Sequence, residues 1–551
     1  MTKLTGGQAL IKQMHREGIR VIFGMPGIQM YEAMDAIYNE PDIRFITVRH
    51  EQAAGYMAYG YSRASGKTGT ALVVPGPGLQ NISAAIGTAY SASTPIMVFA
   101  GQLPKNQIGK DRGELHEIND QISTIRPVTK WTSGPVLRTR DIPAMVNEAV
   151  HQSQVGRPRP VEIEIPWDTL GEIEDVELRE SAQHQRLPPI DRSLDQGATI
   201  LRNAVRPVIW AGGGVITSEA STELTNLAEI LNAPVFTTKQ SKGAISDRHP
   251  LAVGVPMYRS DVSISLVDEA DVILAVGTRL QRVELSSGSE SESLGGQMAK
   301  LHRDTKIVRI DVDEAEIQHS PENTHPILGD AKLALHALAQ QLTGLKRERP
   351  GLKNRLESIA KARREKAVKL QPQVDFVDAI RAALPDDAIT VQGITQVGYA
   401  SEHSLPVYEP RKFITSGYFQ SLGYTYPTAL GAKVAMPDSP VVAISGDGGF
   451  LYNSQEMATA VKYGINAIAL VFNDNAYGNV LRDQLDKYDG RTIGSKLHNP
   501  NFVKLAEAYG VRGMRAENAE SLESSLRSAV SFNGPTLIEI PIETGAMKPH
   551  L

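Results

Sequence analysis

The stretch from Val441 to Asp474 constrains the fold of this chain more than any other segment does. Two apolar, β-rich runs, Val441-Val442-Ala443-Ile444-Ser445 and Ala467-Ile468-Ala469-Leu470-Val471-Phe472, enclose a helical stretch from Ser454 to Tyr463. Strand, helix and strand in that order predict two parallel strands joined by a crossover. The first strand runs into Gly446-Asp447-Gly448, and after 24 intervening residues (449–472) the second runs into Asn473-Asp474. Both acidic residues thus reach the carboxyl edge of one sheet, where open α/β sheets bind ligands. Hard oxygen ligands from two loops, beside glycines that let backbone N–H groups approach closely, suit a Mg²⁺-diphosphate. A lone Gly-Asp-Gly reads more readily as a loop aspartate capping the helix that begins near residue 454, and only the downstream Asn-Asp argues against that.

The same alternation recurs along the chain. Val21-Ile22-Phe23, Arg44-Phe45-Ile46-Thr47-Val48, Thr70-Ala71-Leu72-Val73-Val74 and Ile96-Met97-Val98-Phe99 are strand-like runs among helical periods, most of them followed by Gly or Pro turns. Pro207-Val208-Ile209-Trp210, Val272-Ile273-Leu274-Ala275-Val276 and Lys306-Ile307-Val308-Arg309-Ile310 repeat the pattern further on. At 551 residues the chain exceeds one core. The predicted fold class is α/β, with three doubly wound parallel-sheet domains over residues 1–170, 190–342 and 371–551. Glu180 to Asp195 reads as a polar linker, and the charged segment Lys346 to Lys369 as an exposed linker that becomes helical.

Composition excludes several function classes. A net charge of -5, from 57 basic and 62 acidic residues, gives no electrostatic reason for a nucleic-acid partner. Zero cysteines exclude disulfides, cysteine nucleophiles and thiolate metal sites. No apolar run nears the length of a membrane span, and the first residues lack a signal pattern, so the expected location is the cytoplasm.

Two further segments stand out. Glu51, in Arg49-His50-Glu51-Gln52-Ala53-Ala54-Gly55, follows a strand and heads a helix. Taken alone, it is a helix N-terminal acid favoured by the dipole. Thr415-Ser416-Gly417-Tyr418-Phe419-Gln420-Ser421-Leu422-Gly423 joins bulky apolar residues to glycines, and by itself Leu422 reads as core.

Together with Gly446-Asp447-Gly448 and Asn473-Asp474, in this order, these segments resemble the thiamine diphosphate-dependent decarboxylase and carboligase superfamily. With that resemblance, Asn473-Asp474 at the family's spacing reverses the preference for a capping role at Asp447. Gly24-Met25-Pro26-Gly27, Pro75-Gly76-Pro77-Gly78-Leu79-Gln80-Asn81, Arg126-Pro127-Val128-Thr129-Lys130, Ala211-Gly212-Gly213-Gly214-Val215 and Ile310-Asp311-Val312-Asp313 extend the likeness to its acetolactate synthase-like branch. The resemblance implies a pyrimidine-binding first domain, a Rossmann-like central domain and a diphosphate-binding third domain. It implies thiamine diphosphate and Mg²⁺ as cofactors, with Asp447, Asp474 and the Ala476 carbonyl as metal ligands. Glu51 would bond the aminopyrimidine and run its tautomer cycle. Leu422 would prop the cofactor's two rings into a V, and the Gln420 carbonyl would receive the 4′-amino hydrogen. Pro26, Asn81, Gly446, Gly448, Gly449, Tyr477 and Gly478 complete the implied cofactor contacts. The family also places the cofactor between the first domain of one subunit and the third of another, which implies a homodimer or homotetramer.

Several residues depart from that pattern. The second side-chain ligand is commonly asparagine, whereas here it is Asp474; the added charge predicts tighter metal retention. Gln420 stands where the family often has a small residue. A Phe-Gln-Glu triplet of the acetolactate synthases aligns with His116, Glu117 and Ile118, and their tryptophan after the metal motif aligns with Asp483. His116 reads either as an added acid–base group or as a solvated loop histidine. Ile28 and Gln29 replace small residues and would narrow the donor pocket. The family's flavin-contacting run appears as Arg279-Leu280-Gln281-Arg282, mostly missing, so FAD is left open without being the expected cofactor.

The resemblance thus implies an enzyme that decarboxylates a 2-oxo acid and joins the remaining acyl carbon to a second carbonyl. The alternatives are a non-ligating 2-oxo acid decarboxylase, an acyl-CoA lyase, and a flavin-binding protein without thiamine chemistry. Partners are therefore small molecules and a second copy of the chain, with neither nucleic acid nor membrane.

Overall fold

The computed structural model describes residues 1–256, 261–280, 283–285, 299–301 and 304–544. The chain divides into two compact units, and each is α/β.

The first unit comprises residues 1–185, 388–395 and 414–544 and carries two six-stranded sheets. In the first sheet the strands lie side by side in the order Arg44–Thr47, Val21–Gly24, Gly69–Val73, Ile96–Gln102, Val161–Pro166 and Trp131–Ser133, every pair parallel. In the second, Ile389–Gln392, Val441–Gly446, Ala467–Asn473, Thr536–Pro541 and Arg512–Arg515 run parallel, with the two-residue strand Phe413–Ile414 on the outer edge. The strands read as continuous apolar runs because helices cover both faces; all seven residues of Ile96–Gln102 are buried. Strand ends predicted from the sequence hold to within a few residues.

One hydrophobic core joins the two sheets. Met57 and Tyr59 of helix Glu51–Ser65 share it with Leu430 of helix Thr425–Ala435 and with Phe450. The two helices meet backbone to backbone: a Cβ on Gly60 would collide with the Thr428 carbonyl, and one on Gly431 with the Met57 carbonyl. Glu51–Ser65 ends where Gly66 adopts φ 78°, a left-handed C-cap. Pro77 opens helix Pro77–Ser91 in the first turn, where a missing N–H costs nothing.

The second unit holds residues 186–387 and 396–413, around a parallel sheet in the order Ala252–Gly254, Val235–Thr237, Pro207–Ala211, Val272–Val276, Lys306–Asp311 and Thr324–Leu328. Two linker readings change here. Helix Asp191–Asn203 begins inside the stretch read as a polar linker and buries Leu194, Ala198 and Leu201. Helix Leu352–Ala367 forms as expected, but Leu352, Leu356 and Ile359 enter this unit's core, so it is a packed element rather than an exposed one. Its apolar positions at 352, 356 and 359 make a single stripe that the surrounding charge hides in composition.

The glycines after Pro207–Ala211 serve packing. The Gly212 N–H donates to the Val276 carbonyl at 2.8 Å and the Gly214 N–H to the Gly277 carbonyl at 3.0 Å. A Cβ on Gly214 would sit 2.6 Å from the Gly277 Cα. Of the run compared with a flavin-contacting segment, Gln281 and Arg282 lie outside the described residues. Among the described residues, no helix is long and apolar enough to cross a membrane.

Candidate active site

Two parallel strands build the acidic half of the site. Val441–Gly446 delivers Asp447 as the first residue of a short helix, Asp447–Leu451, so helix begins at the motif itself rather than near residue 454. Ala467–Asn473 delivers Asp474 to the adjoining loop, with Gly446 opposite Phe472 in register. Asp447 is 2% exposed. Its Oδ2 accepts a 2.6 Å bond from Asn499 Nδ2, and the same amide reaches Asn473 Oδ1 at 2.9 Å.

Burial raises both carboxyls above the usual carboxylate range; Asp474 is pushed up to about 6, by burial first and then by the Asp447 charge. A cation that neutralises both would relieve that cost. The loop is shaped for a third oxygen. Ala476 opposes Lys496 in an antiparallel bridge whose bonds run Tyr477 N–H to Ser495 and Leu497 N–H to Asn475. Ala476 is then the non-hydrogen-bonded member, and its own carbonyl points away from that partner. Its N–H returns to Asp474 Oδ1 at 3.2 Å. Among the described residues, no three His, Cys, Asp or Glu side chains gather as a self-sufficient metal site. Two carboxylates and a carbonyl therefore fit a hard divalent ion whose other ligands are phosphate and water oxygens.

The glycines let neighbouring segments close on the turn. A Cβ on Gly448 would lie 2.7 Å from the Tyr477 ring, and one on Gly446 would lie 3.2 Å from Thr395. Gly449 faces Leu422, whose Cδ2 is 3.9 Å from its Cβ position, so the propping segment and the Gly-rich turn meet. Leu422 is only half-buried, unlike a core leucine. Gln420 adopts φ 51°, a left-handed conformation uncommon outside glycine, and is exposed.

The other half lies on the first sheet. Glu51 is 9% exposed and heads its helix, and Asn81 Nδ2 donates to Glu51 Oε2 at 2.9 Å. Next to it, Gln52 Oε1 accepts from Asn453 Nδ2 at 3.2 Å, and that same amide donates to the Gly423 carbonyl at 2.8 Å. Sequence reasoning missed Asn453 and a second acid, Glu456. Glu456 is fully buried and accepts the Arg49 N–H at 3.0 Å and the Thr459 hydroxyl at 2.6 Å. Burial pushes its carboxyl up to about 7 against these bonds. Asn499 was missed too; its only sequence signal is the Asn499-Pro500-Asn501 turn before helix Phe502–Ala508.

The residues that the resemblance singled out as departures separate into two kinds. His116 Nδ1 lies 3.1 Å from Gln29 Oε1, and Gln29 Nε2 donates to the Leu115 carbonyl at 3.1 Å. Gln29 is buried while its neighbour Ile28 is exposed. Glu117 turns back on its own loop: the N–H groups of Glu114, Gly113 and Arg112 all donate to its Oε2 and hold its carboxyl below the usual range. Asp483 pairs with Lys487 and Arg482 on helix Gly478–Lys487. Pro26 is exposed at the end of Val21–Gly24, and Tyr477 and Gly478 stand at the start of that helix.

Comparison with known proteins matches all three parts of the chain. The N-terminal TPP binding domain of the thiamine pyrophosphate enzymes matches residues 4–124, their central domain 194–338, and their C-terminal TPP binding domain 393–540. A probable acetolactate synthase large subunit of Methanocaldococcus jannaschii is 35% identical, over 99% of this chain and 93% of its own length. A probable 2-ketoarginine decarboxylase of Pseudomonas aeruginosa is 33% identical, over 98% of this chain and 94% of its own. The acetolactate synthase large subunit of Lactococcus lactis is 32% identical, over 98% and 93%.

Proposed function

The chain belongs to the thiamine pyrophosphate enzyme family, and from that premise we propose that it decarboxylates a 2-oxo acid and ligates the remaining acyl carbon to a second carbonyl. The observation that carries the reading is that one chain presents both Glu51, held by Asn81, and the Asp447–Asp474 carboxylate pair, each where a parallel strand ends. Bound thiamine diphosphate supplies a carbon nucleophile for the 2-oxo acid and takes up the electron pair left as CO₂ departs.

The chain's own residues do the rest. Asn81 fixes one oxygen of Glu51, which leaves Oε1 to hold and return a proton at the aminopyrimidine. Asp447, Asp474 and the Ala476 carbonyl would hold Mg²⁺, and the N–H groups of Gly448 and Gly449 the diphosphate. Leu422, whose Cδ2 lies beside the Gly-rich turn, would prop the cofactor there. We include in the proposal a cytoplasmic homodimer or homotetramer whose sites are shared between chains.

A panel of 2-oxo acids tests it, each supplied with thiamine diphosphate and Mg²⁺, alone and with an added aldehyde. CO₂ release with acyloin formation is expected. No CO₂ from any member of the panel would refute the reading. A second reading, a non-ligating decarboxylase, is favoured by the 2-ketoarginine decarboxylase relative and by Asp483 in place of the acceptor-side tryptophan. Free aldehyde without acyloin identifies that case.

A further inference from the structure

We propose that His116 moves the proton of the substrate carbonyl and that Gln29 is the residue that positions it, by fixing which ring nitrogen carries hydrogen. The inference rests on the thiamine-dependent reading above and adds an acid–base pair to it.

Topology supplies the placement. Arg44–Thr47, Val21–Gly24, Gly69–Val73 and Ile96–Gln102 are neighbours in one parallel sheet. The segments leaving their carboxyl ends carry Glu51, Gln29, Asn81 and His116 respectively. Four adjacent strands therefore deliver the proton-handling glutamate, its partner and the Gln29–His116 pair to one sheet edge, the usual ligand edge.

Hydrogen bonding then fixes the tautomer. A carbonyl only accepts, so the end of the Gln29 amide that meets the Leu115 carbonyl at 3.1 Å is its NH₂. The other end, 3.1 Å from His116 Nδ1, is the amide oxygen, which also only accepts. Nδ1 must carry the hydrogen, and the neutral ring then keeps its lone pair at Nε2. Gln29 is 3% exposed, so its amide has no bulk water to turn towards.

The backbone holds the ring in place. His116 adopts φ 66°, a left-handed conformation rare for a non-glycine residue. Its carbonyl packs so tightly on Gly76 that a Cβ there would collide with it. Gly76 caps helix Pro77–Ser91 and donates its N–H to Gln121 Oε1 at 2.7 Å. Asn81 lies five residues further along that helix, a rise of about 7.5 Å. His116 is half-buried, and Ile28 and Leu115, the chain neighbours of Gln29 and His116, are 37% and 57% exposed, so the pair stands near the surface, where a small substrate can reach it.

The step balances with a single proton. As the carbonyl carbon gains its new bond, the C=O π pair moves to oxygen, and the protonated His116 passes its Nε2 hydrogen to that oxygen. When the product carbonyl reforms, the hydroxyl proton returns to Nε2. Nδ1–H keeps its bond to Gln29 in both states, so the residue is ready for the next turnover.

Two measurements on the full chain loaded with thiamine diphosphate and Mg²⁺ test this. Long-range ¹H–¹⁵N spectra of histidine-labelled protein, with His116→Gln assigning the signal, should show the Nδ1–H tautomer of neutral His116. Gln29→Leu should mix it with Nε2–H. In steady-state CO₂ release, Gln29→Leu and His116→Gln should each lower kcat by about 30- to 100-fold with KM and cofactor binding little changed. Gln29→Glu, which keeps an acceptor facing Nδ1, should restore most of the loss. The double variant Gln29→Leu/His116→Gln should be no slower than His116→Gln alone. An Nε2–H tautomer in the unaltered chain, additive losses, or an unchanged kcat would overturn the pair. The expected tautomer with bound cofactor but no 2-oxo acid turned over would instead overturn the reaction assigned above, and the proton role with it.

Discussion

Asp474 carries the sharpest residue-scale expectation of the proposed metal site. A second carboxylate beside Asp447 adds charge that, on the proposed reading, a cation would balance before an anionic diphosphate approached. Asp474→Asn should therefore make thiamine diphosphate binding less dependent on Mg²⁺, lowering the metal concentration dependence by about 10-fold. Titrating cofactor binding against metal checks this; an unchanged dependence refutes it.

Glu456 gives a second residue-scale expectation, with a definite sign. Its carboxyl moves from an ordinary 4.5 to about 7 in the folded chain, chiefly through burial. Between those values the folded form holds more protons than the unfolded one, so stability falls as pH rises through the window and levels off above it. Glu456→Gln removes that slope while keeping an acceptor for the Arg49 N–H. The variant should gain roughly 2 kcal/mol over the parent by pH 8 and nothing near pH 4, read as urea midpoints across pH. Glu162 belongs to the same class. It is fully buried on strand Val161–Pro166, with burial and then the Glu164 charge raising its carboxyl. Glu162→Gln should raise the melting temperature at pH 7.5 by about 2 °C.

At the scale of elements, the contact between helices Glu51–Ser65 and Thr425–Ala435 decides how firmly Glu51 is held. It depends on two glycines that let backbones touch. Gly431→Ala forces a methyl group into the Met57 carbonyl and should cost about 1–3 kcal/mol, with weaker cofactor binding, because the helix that begins at Glu51 must shift. Calorimetry and cofactor titration of the same variant test both consequences. Elements were legible from periodicity wherever a run was continuous and apolar. Helix Leu352–Ala367 was legible as a helix but not as a packed one: charge outweighed its sparse apolar stripe, and only the core it meets reveals the burial.

For the whole molecule, the proposal of sites shared between chains makes a specific claim. Chains carrying Glu51→Gln and chains carrying Asp447→Ala should each be inactive. When they are co-expressed, one of the two sites in a mixed dimer has neither defect, so about a quarter of the parent activity should return, assuming random pairing. No recovery would place both halves of each site in one chain.

The placement of the residues proposed for the cofactor was legible because it is local: Gly446-Asp447-Gly448, Asn473-Asp474 and Glu51 each sit where a parallel strand ends. Asn453, Glu456 and Asn499 were missed because their partners lie from 52 to more than 400 positions away, and no local pattern encodes such a distance. The pairs Gln29–His116 and Glu117–Gly113 make the same point at one loop. Adjacent residues of similar polarity were sent in opposite directions, His116 to Gln29 on a distant segment and Glu117 back to its own backbone. Sequence determined which chemical groups this chain possesses and which sheet edge receives them. Tertiary structure alone decided which of those groups meet, because a hydrogen bond depends on distances in space that folding sets.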